Sequence, residues 1–288
     1  MSIQDDARPD DARPDDPLQA HLRGLRSPGR GAFMPFLVAG DPDLETSLAL
    51  ADALVAAGAD VLEFGFPFSD PPADGPVIQA ADQRALAAGV TPPAAFELIE
   101  AIHRRHGTPV VLLMYYNLIL QYGVDAFYAR AARAGVQGVL VADLPIDLAD
   151  DAVSAARRHG VAPIFIASEL TPTARLGAVA ARGGGFVYTV ARVGVTGEQG
   201  ALAASLPATL RRLREALPLP LLAGFGLSTP AQVRQVIAAG ADGAIVGSAL
   251  VRLVERHRGD RGAMIDAMRA TATAFARAAH GDDEEPTC

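Results

Sequence analysis

The feature that most constrains this chain is one unit recurring along it: a near-continuous apolar run, a loop, an amphipathic segment and a glycine stop. Apolar runs that read as strands fall at 33–38, 61–66, 110–114, 138–141, 163–166, 185–190, 219–223 and 243–246. Between them lie segments with helical spacing, the first carrying Leu44, Leu48, Ala51, Leu54 and Val55 on one face. Others are expected near 93–106, 124–134, 147–159, 173–182, 203–216, 230–239 and 261–279. Several end alike, with Ala-Gly-Ala-Asp at 57–60 and again at 239–242, Ala-Gly-Val-Gln at 134–137 and His-Gly-Val-Ala at 159–162. A glycine stops the helix and the chain turns directly into the next buried strand. Strands that lack polar alternation and alternate with helices imply a parallel sheet covered by those helices. Eight such units, with no G-x-G-x-x-G after the first strand, favour a closed barrel over an open doubly wound sheet. The expected fold is therefore α/β, a single (β/α)8 TIM barrel over 17–279. A short N-terminal helix over 17–26 precedes it, and an extra helix, Ala249 to Glu255, comes before the eighth barrel helix. The Asp-Asp-Ala-Arg-Pro repeat of residues 1–16 and the acidic end, 280–288, are expected to be disordered tails.

Composition narrows the chemistry. The 25 basic residues are all arginine, so neither a Schiff-base lysine nor a covalently held pyridoxal phosphate is available. The single cysteine is Cys288, which removes disulfides and an internal thiol nucleophile. His21, His103, His106, His159, His257 and His280 fall in helices or tails, so a metal cluster of the usual kind is not expected. A formal net charge of -8 argues against nucleic acid as a partner. No apolar run reaches the roughly 18–20 residues of a membrane span, and a cytoplasmic protein is expected. Catalysis must rest on carboxylates, tyrosine, backbone amides and arginine.

In a barrel, function gathers where the strands end. There this chain puts Asp41, then Glu63 inside the second strand with Asp70 and Asp74 after it. Next come Tyr115, Tyr116 and Asn117, then Asp143, then Tyr188 and Arg192. A carboxylate within a buried strand costs several kcal/mol unless it is paired or used. The plainer alternative is that Glu63 caps a backbone group and the aspartates form turns. Glycine loops at 194–197, 224–226 and 247 follow the sixth, seventh and eighth strands. Loops of this kind bring amides against an anion, and the helix opening at Ser248 adds its dipole, so a phosphate is expected there. Residues 193–205 are small and read equally as a mobile lid or an inert linker.

Taken together, Phe36 to Asp41, Glu63 to Pro76, Gln79-Ala80, Tyr116-Asn117, Asp143-Leu144-Pro145, Gly185 to Gly197, Gly224 to Pro230 and Gly247-Ser248 resemble the tryptophan synthase alpha chain family. The Pro-Phe-Ser-Asp-Pro element at 67–71 with Ala-Asp-Gly-Pro at 73–76 carries most of that likeness. The resemblance implies a lyase that splits indole-3-glycerol phosphate into indole and glyceraldehyde 3-phosphate. It implies Glu63 and Asp74 as catalytic carboxylates and Tyr188 beside the reacting centre. It further implies Thr196 as a lid contact and Gly197, Gly226, Gly247 and Ser248 as the phosphate cradle. Phe36, Leu113 and Phe225 would form the indole pocket. Pro67 and Asp70 would face a pyridoxal-phosphate-dependent beta chain in an alpha2beta2 assembly, this chain holding no cofactor or metal itself. A freestanding indole-producing lyase, a different phosphate-binding isomerase barrel and a catalytically idle barrel are the alternatives. Phe186, where many of the family carry tyrosine, and Ser168-Glu169-Leu170 are departures from the pattern.

Overall fold

The computed structural model describes residues 16–191 and 204–282. Eight parallel strands close in sequence order: β1 Ala32–Val38, β2 Leu62–Gly65, β3 Val110–Met114, β4 Val136–Val141, β5 Ala162–Ala167, β6 Val187–Val190, β7 Leu221–Gly224 and β8 Gly243–Val246. The ring shuts where Ala32 of β1 pairs with Gly243 of β8. The helices described are α1 Pro17–Leu25, α2 Leu44–Ala56, α3 Pro76–Ala87, α4 Pro92–His106, α5 Tyr116–Tyr122 and α6 Val124–Arg133. After them come α7 Asp150–Arg158, α8 Thr173–Arg182, α9 Leu206–Ala216, α10 Pro230–Ala238, α11 Ser248–Arg256 and α12 Arg261–His280. The barrel, the N-terminal helix and the extra helix α11 before the last one are as expected. Two helices, α3 and α5, were not. α3 begins at Gly75-Pro76, a pair that reads as a turn, with the proline in the first turn, where its missing N–H is tolerated. α5 spans only 7 residues, too short for periodicity to speak.

The strands sort their side chains by a period of two. On β2 and just before it, Leu62 and Phe64 join the layer between barrel and helices, while Val61 belongs to the lumen. Glu63 is thereby aimed inward. Tyr188, Leu222 and Ile245 fill the lumen from β6, β7 and β8. From below, α1 inserts Leu18 and Leu22 into the same cluster. Asp16 fixes that plug, its carboxylate accepting from the amides of Gln19 and of Gly185, each at 2.7 Å.

The two Ala-Gly-Ala-Asp repeats perform one task twice. Gly58 and Gly240 take φ of 99° and 105°, which ends α2 and α10 without strain. The aspartate that follows then pins a neighbouring strand: Asp60 accepts from the Phe33 amide at 2.7 Å and Asp242 from the Leu221 amide at 2.8 Å. Both acids are compensated at the barrel floor. His280 lies 2.8 Å from Asp60, and Arg26 and Arg214 lie 2.9 and 2.7 Å from Asp242. With the floor sealed in this way, the open end of the lumen is the end where the strands finish.

Leu18 is fully buried in the plug. Leu18→Ala is expected to destabilise the fold by about 2–5 kcal/mol, read from urea unfolding, through the cavity it leaves.

Candidate active site

At the strand C-termini lies a cavity of about 660 Å³. Glu63 and Asp74 open onto it together with Tyr188, Phe225, Gly226, Gly247 and Ser248. Phe36, Leu113, Ile78 and Ile245 supply an apolar wall. Register explains the grouping: Phe36 pairs with Glu63, and Leu113 with Gly65, so the four stand on adjacent strands at successive levels. Two glycines leave room for the rings. A Cβ on Gly65 would stand 3.0 Å from the Phe36 ring, and one on Gly224 would collide with the Tyr188 hydroxyl.

Glu63 is 1% exposed, and both of its carboxyl oxygens are buried with no hydrogen-bond partner among the described residues. Burial, and secondarily the nearby charge of Asp74, raise its pKa to about 8. At neutral pH it therefore carries a proton, and it can donate that proton into the cavity. Asp74 sits in a different environment. The Tyr115 hydroxyl donates to its Oδ2 at 2.8 Å, while the Ala73 amide donates to that hydroxyl at 3.1 Å. Burial raises the Asp74 pKa and the tyrosine hydrogen bond opposes the rise. The two carboxyls thus differ in surroundings: Glu63 has no hydrogen-bond partner among the described residues, whereas Asp74 has the Tyr115 hydroxyl, which opposes the rise that burial imposes. The Tyr188 phenol is held firmly protonated, first by burial and then by Glu63 and Asp74. Its ring lies 4.8 Å from that of Phe225. Phe225 takes a left-handed φ of 62°, which is costly for an aromatic residue and turns its ring to the cavity mouth.

The opposite wall is an anion site in outline. α11 starts at Gly247-Ser248, both in the cavity lining, and no side chain among the described residues caps it, which leaves its first amides and its dipole to the cavity. Gly226, with φ of 92°, brings the loop after β7 alongside. That loop contributes less than its glycines suggested. The amides of Ser228 and Thr229 donate to the Gln232 side chain at 2.7 and 3.2 Å, within the capping box of α10. Arg252, one turn along α11, lines the cavity and is a cation that loop motifs gave no reason to single out.

The remaining strand-end residues divide cleanly. Asp41 forms a bidentate pair with Arg84 at 2.8 Å and belongs to the scaffold. Asp143 accepts the Tyr116 amide at 2.8 Å, at the start of α5. Pro67 is buried and Asp70 exposed, and neither lines the cavity. Arg192, Thr196, Gly197 and nearly all of the 193–205 segment lie outside the described residues, as do 1–15 and 283–288; Asp16 and His280, expected within the disordered tails, instead cap α1 and end α12. Tyr115 was placed on the functional face by its position at the end of β3, but nothing in the sequence assigned it a role there. No group of three or more His, Cys, Asp or Glu among the described residues could hold a metal ion.

Because its folded pKa lies above the ordinary 4.5, Glu63 favours folding at low pH, and that contribution is lost as pH rises towards about 8. Glu63→Gln is therefore expected to gain stability over the parent across that window. The gain should reach about 3–5 kcal/mol at its alkaline end, read by urea unfolding at several pH values.

Comparison with known proteins bears on this geometry directly. The family model for the tryptophan synthase alpha chain matches residues 22–280. The tryptophan synthase alpha chain of Shewanella oneidensis is 48% identical over 251 residues, 87% of this chain and 90% of that one. Among solved structures, the alpha subunit of Legionella pneumophila superposes with a TM-score of 0.84 at 32% identity, covering 92% of this chain and 99% of that one. A chain of the tryptophan synthase alpha2beta2 complex of Pyrococcus furiosus superposes at 0.79 with 36% identity, covering 85% and 98%. A match across nearly the whole barrel, from the α1 plug to the last helix, takes in every element that builds the cavity, and so the chain belongs to the tryptophan synthase alpha chain family.

Proposed function

We propose that this chain cleaves indole-3-glycerol phosphate to indole and glyceraldehyde 3-phosphate in tryptophan biosynthesis and delivers the indole to a beta chain. The observation that carries the reading is a single cavity with a protonated buried glutamate, a hydrogen-bonded aspartate and an uncapped helix N-terminus around an apolar wall. The substrate has the same three parts: a ring with an N–H, a hydroxyl-bearing carbon and a phosphate.

The phosphate would sit at the amides of Gly226, Gly247 and Ser248, where the α11 dipole favours an anion. Gly197 as part of that cradle and Thr196 as a lid contact belong to the same proposal. The indole ring would lie among Phe36, Leu113 and Phe225, with its N–H towards Asp74. Glu63 gives its proton to indole C3, and the positive charge that develops on the ring is stabilised at N1 by the Asp74 carboxylate, which takes the N–H proton. The Glu63 carboxylate, now charged, removes the proton of the C3′ hydroxyl. The C3–C3′ bond breaks, an aldehyde forms at C3′, and the bond electrons restore the aromatic ring as Asp74 returns the proton to N1. Glu63 ends protonated, ready for another cycle. Tyr188, uncharged beside Glu63, lines the path of the reacting carbon.

Docking of a beta chain is supported at the same rim. Leu120, Leu148 and Leu170 are 52%, 72% and 74% exposed, and they follow β3, β4 and β5, neighbours in the ring. Asp70 stands exposed on the loop after β2, with Pro67 buried at its base. Pyridoxal phosphate belongs to the beta chain in this reading, and the cleavage itself uses no cofactor held here. A cytoplasmic location is part of the proposal. Among the described residues no single helix is long and apolar enough to cross a membrane.

The test is release of indole from indole-3-glycerol phosphate by the purified chain, with and without beta chain. No turnover above background in either case would sink the reading; equal rates in both would favour a freestanding lyase. Glu63→Gln should lower kcat by about 10²–10⁴-fold and leave affinity for glycerol phosphate within about twofold. Arg252→Ala should raise KM roughly three- to tenfold with little change in kcat, since a phosphate contact acts on ground and transition states alike.

A further inference from the structure

Ser168-Glu169-Leu170, which departs from the family's usual sequence, is held by contacts that the cleavage does not use. Arg212, half-buried on α9, reaches the loop between β5 and α8 and donates to three of its carbonyls. Nη1 donates to Thr171 at 3.0 Å, and Nη2 donates to Ser168 and Glu169 at 2.9 and 3.1 Å. The loop is also bonded to itself. The Ser168 amide donates to Thr171 Oγ1 at 2.9 Å, the Thr171 amide to the Ser168 carbonyl at 3.1 Å and the Leu170 amide to Ser168 Oγ at 3.2 Å. Just ahead of α9, the Ser205 hydroxyl donates to the Glu169 carboxylate. A guanidinium is a rigid planar fork, so carbonyls gathered on one of them fix the backbone between them in a single conformation.

What that conformation presents is Leu170, 74% exposed in the middle of the clamped loop. One exposed leucine needs no explanation, but here the arrangement is repeated next door. The turn Ile146–Leu148 presents Leu148, 72% exposed, and Arg182 of α8 donates to the Ile146 carbonyl at 2.7 Å. In both cases the arginine comes from the barrel helix one unit further on and grips the backbone beside the leucine. Neither Arg212 nor Leu170 lines the cavity, so the clamp serves something other than the chemistry. We propose that Arg212 is a positioning residue for partner binding, ordering the loop after β5 so that Leu170 stands ready as an anchor for the beta chain. This rests on the docking reading above and adds to it the residue that prepares the surface. A loop ordered before the encounter spares binding the entropy of ordering it, which is where affinity is gained.

The test is a double-substitution cycle read as affinity for the purified beta chain of the same organism, by titration calorimetry. Arg212→Met keeps the stem and removes every donor, whereas Leu170→Ala removes the anchor itself. Each should raise Kd about tenfold, and the two together also about tenfold instead of about a hundredfold, since a loosened loop no longer presents Leu170. Hydrogen exchange at residues 168–171 of the free chain should be about tenfold faster in Arg212→Met and close to parental in Leu170→Ala. Parental affinity or parental exchange in Arg212→Met would overturn the proposal. So would losses that multiply to about a hundredfold, because Arg212 would then act independently of Leu170. If Arg212→Met does not fold, Arg212→Lys, which keeps the charge and loses the fork, takes its place in the cycle, and multiplying losses or none would overturn the proposal there too. A parent chain without affinity for the beta chain overturns the docking reading itself, a result seen before any substitution is made.

Discussion

Everything at the open end of this barrel depends on one unfavourable arrangement, a carboxyl set into an apolar lumen. Glu63 stands on β2 where its alternation demands an inward side chain, and among the described residues neither of its oxygens finds a partner. A charge there is so poorly solvated that the group keeps its proton at neutral pH, which turns a carboxylate into an acid. The price in stability is met by the rest of the fold, above all by a lumen plugged from below with Leu18 and Leu22.

The other buried acids show how different the outcome is when a partner exists. Asp41 has Arg84, Asp242 has Arg26 and Arg214, and Asp60 has His280 and a strand amide. Each of these ties one element to another and does not open onto the cavity. Asp74 lies between the two classes, with a single neutral donor from Tyr115 that stabilises the anion without cancelling its charge. Among the described residues the acids that line the cavity form no ion pair, and they share it with a helix N-terminus that has no side-chain cap. Each side leaves unsatisfied what a bound ligand can satisfy.

The fold was legible because its signals are local and repeated. Glycine stops such as Gly58 and Gly240 take the left-handed conformation that their place after a helix requires, and the uniformly apolar runs between them are strands buried on both sides. α3 and α5 were not legible: one starts in a turn-like Gly-Pro pair and the other is a bare two turns. The carboxylates Glu63 and Asp74 could be picked out because charge within an apolar strand, and in a proline-bounded loop behind it, is rare enough to need explaining. Tyr115 and Arg252 had no such mark. A tyrosine at a strand end and an arginine on an amphipathic helix are ordinary in sequence, and only their neighbours make them otherwise.

The sequence by itself determined the barrel, the order of its strands, the face on which chemistry gathers and the family likeness of the loops there, because all of these follow from periodicity and from motifs read within a few residues. Only the tertiary structure decided which acids are neutralised and which are not. A pKa depends on burial and on the charges a few ångströms away, and residues such as Glu63, Asp74 and Tyr115, far apart along the chain, become each other's surroundings only when the barrel closes.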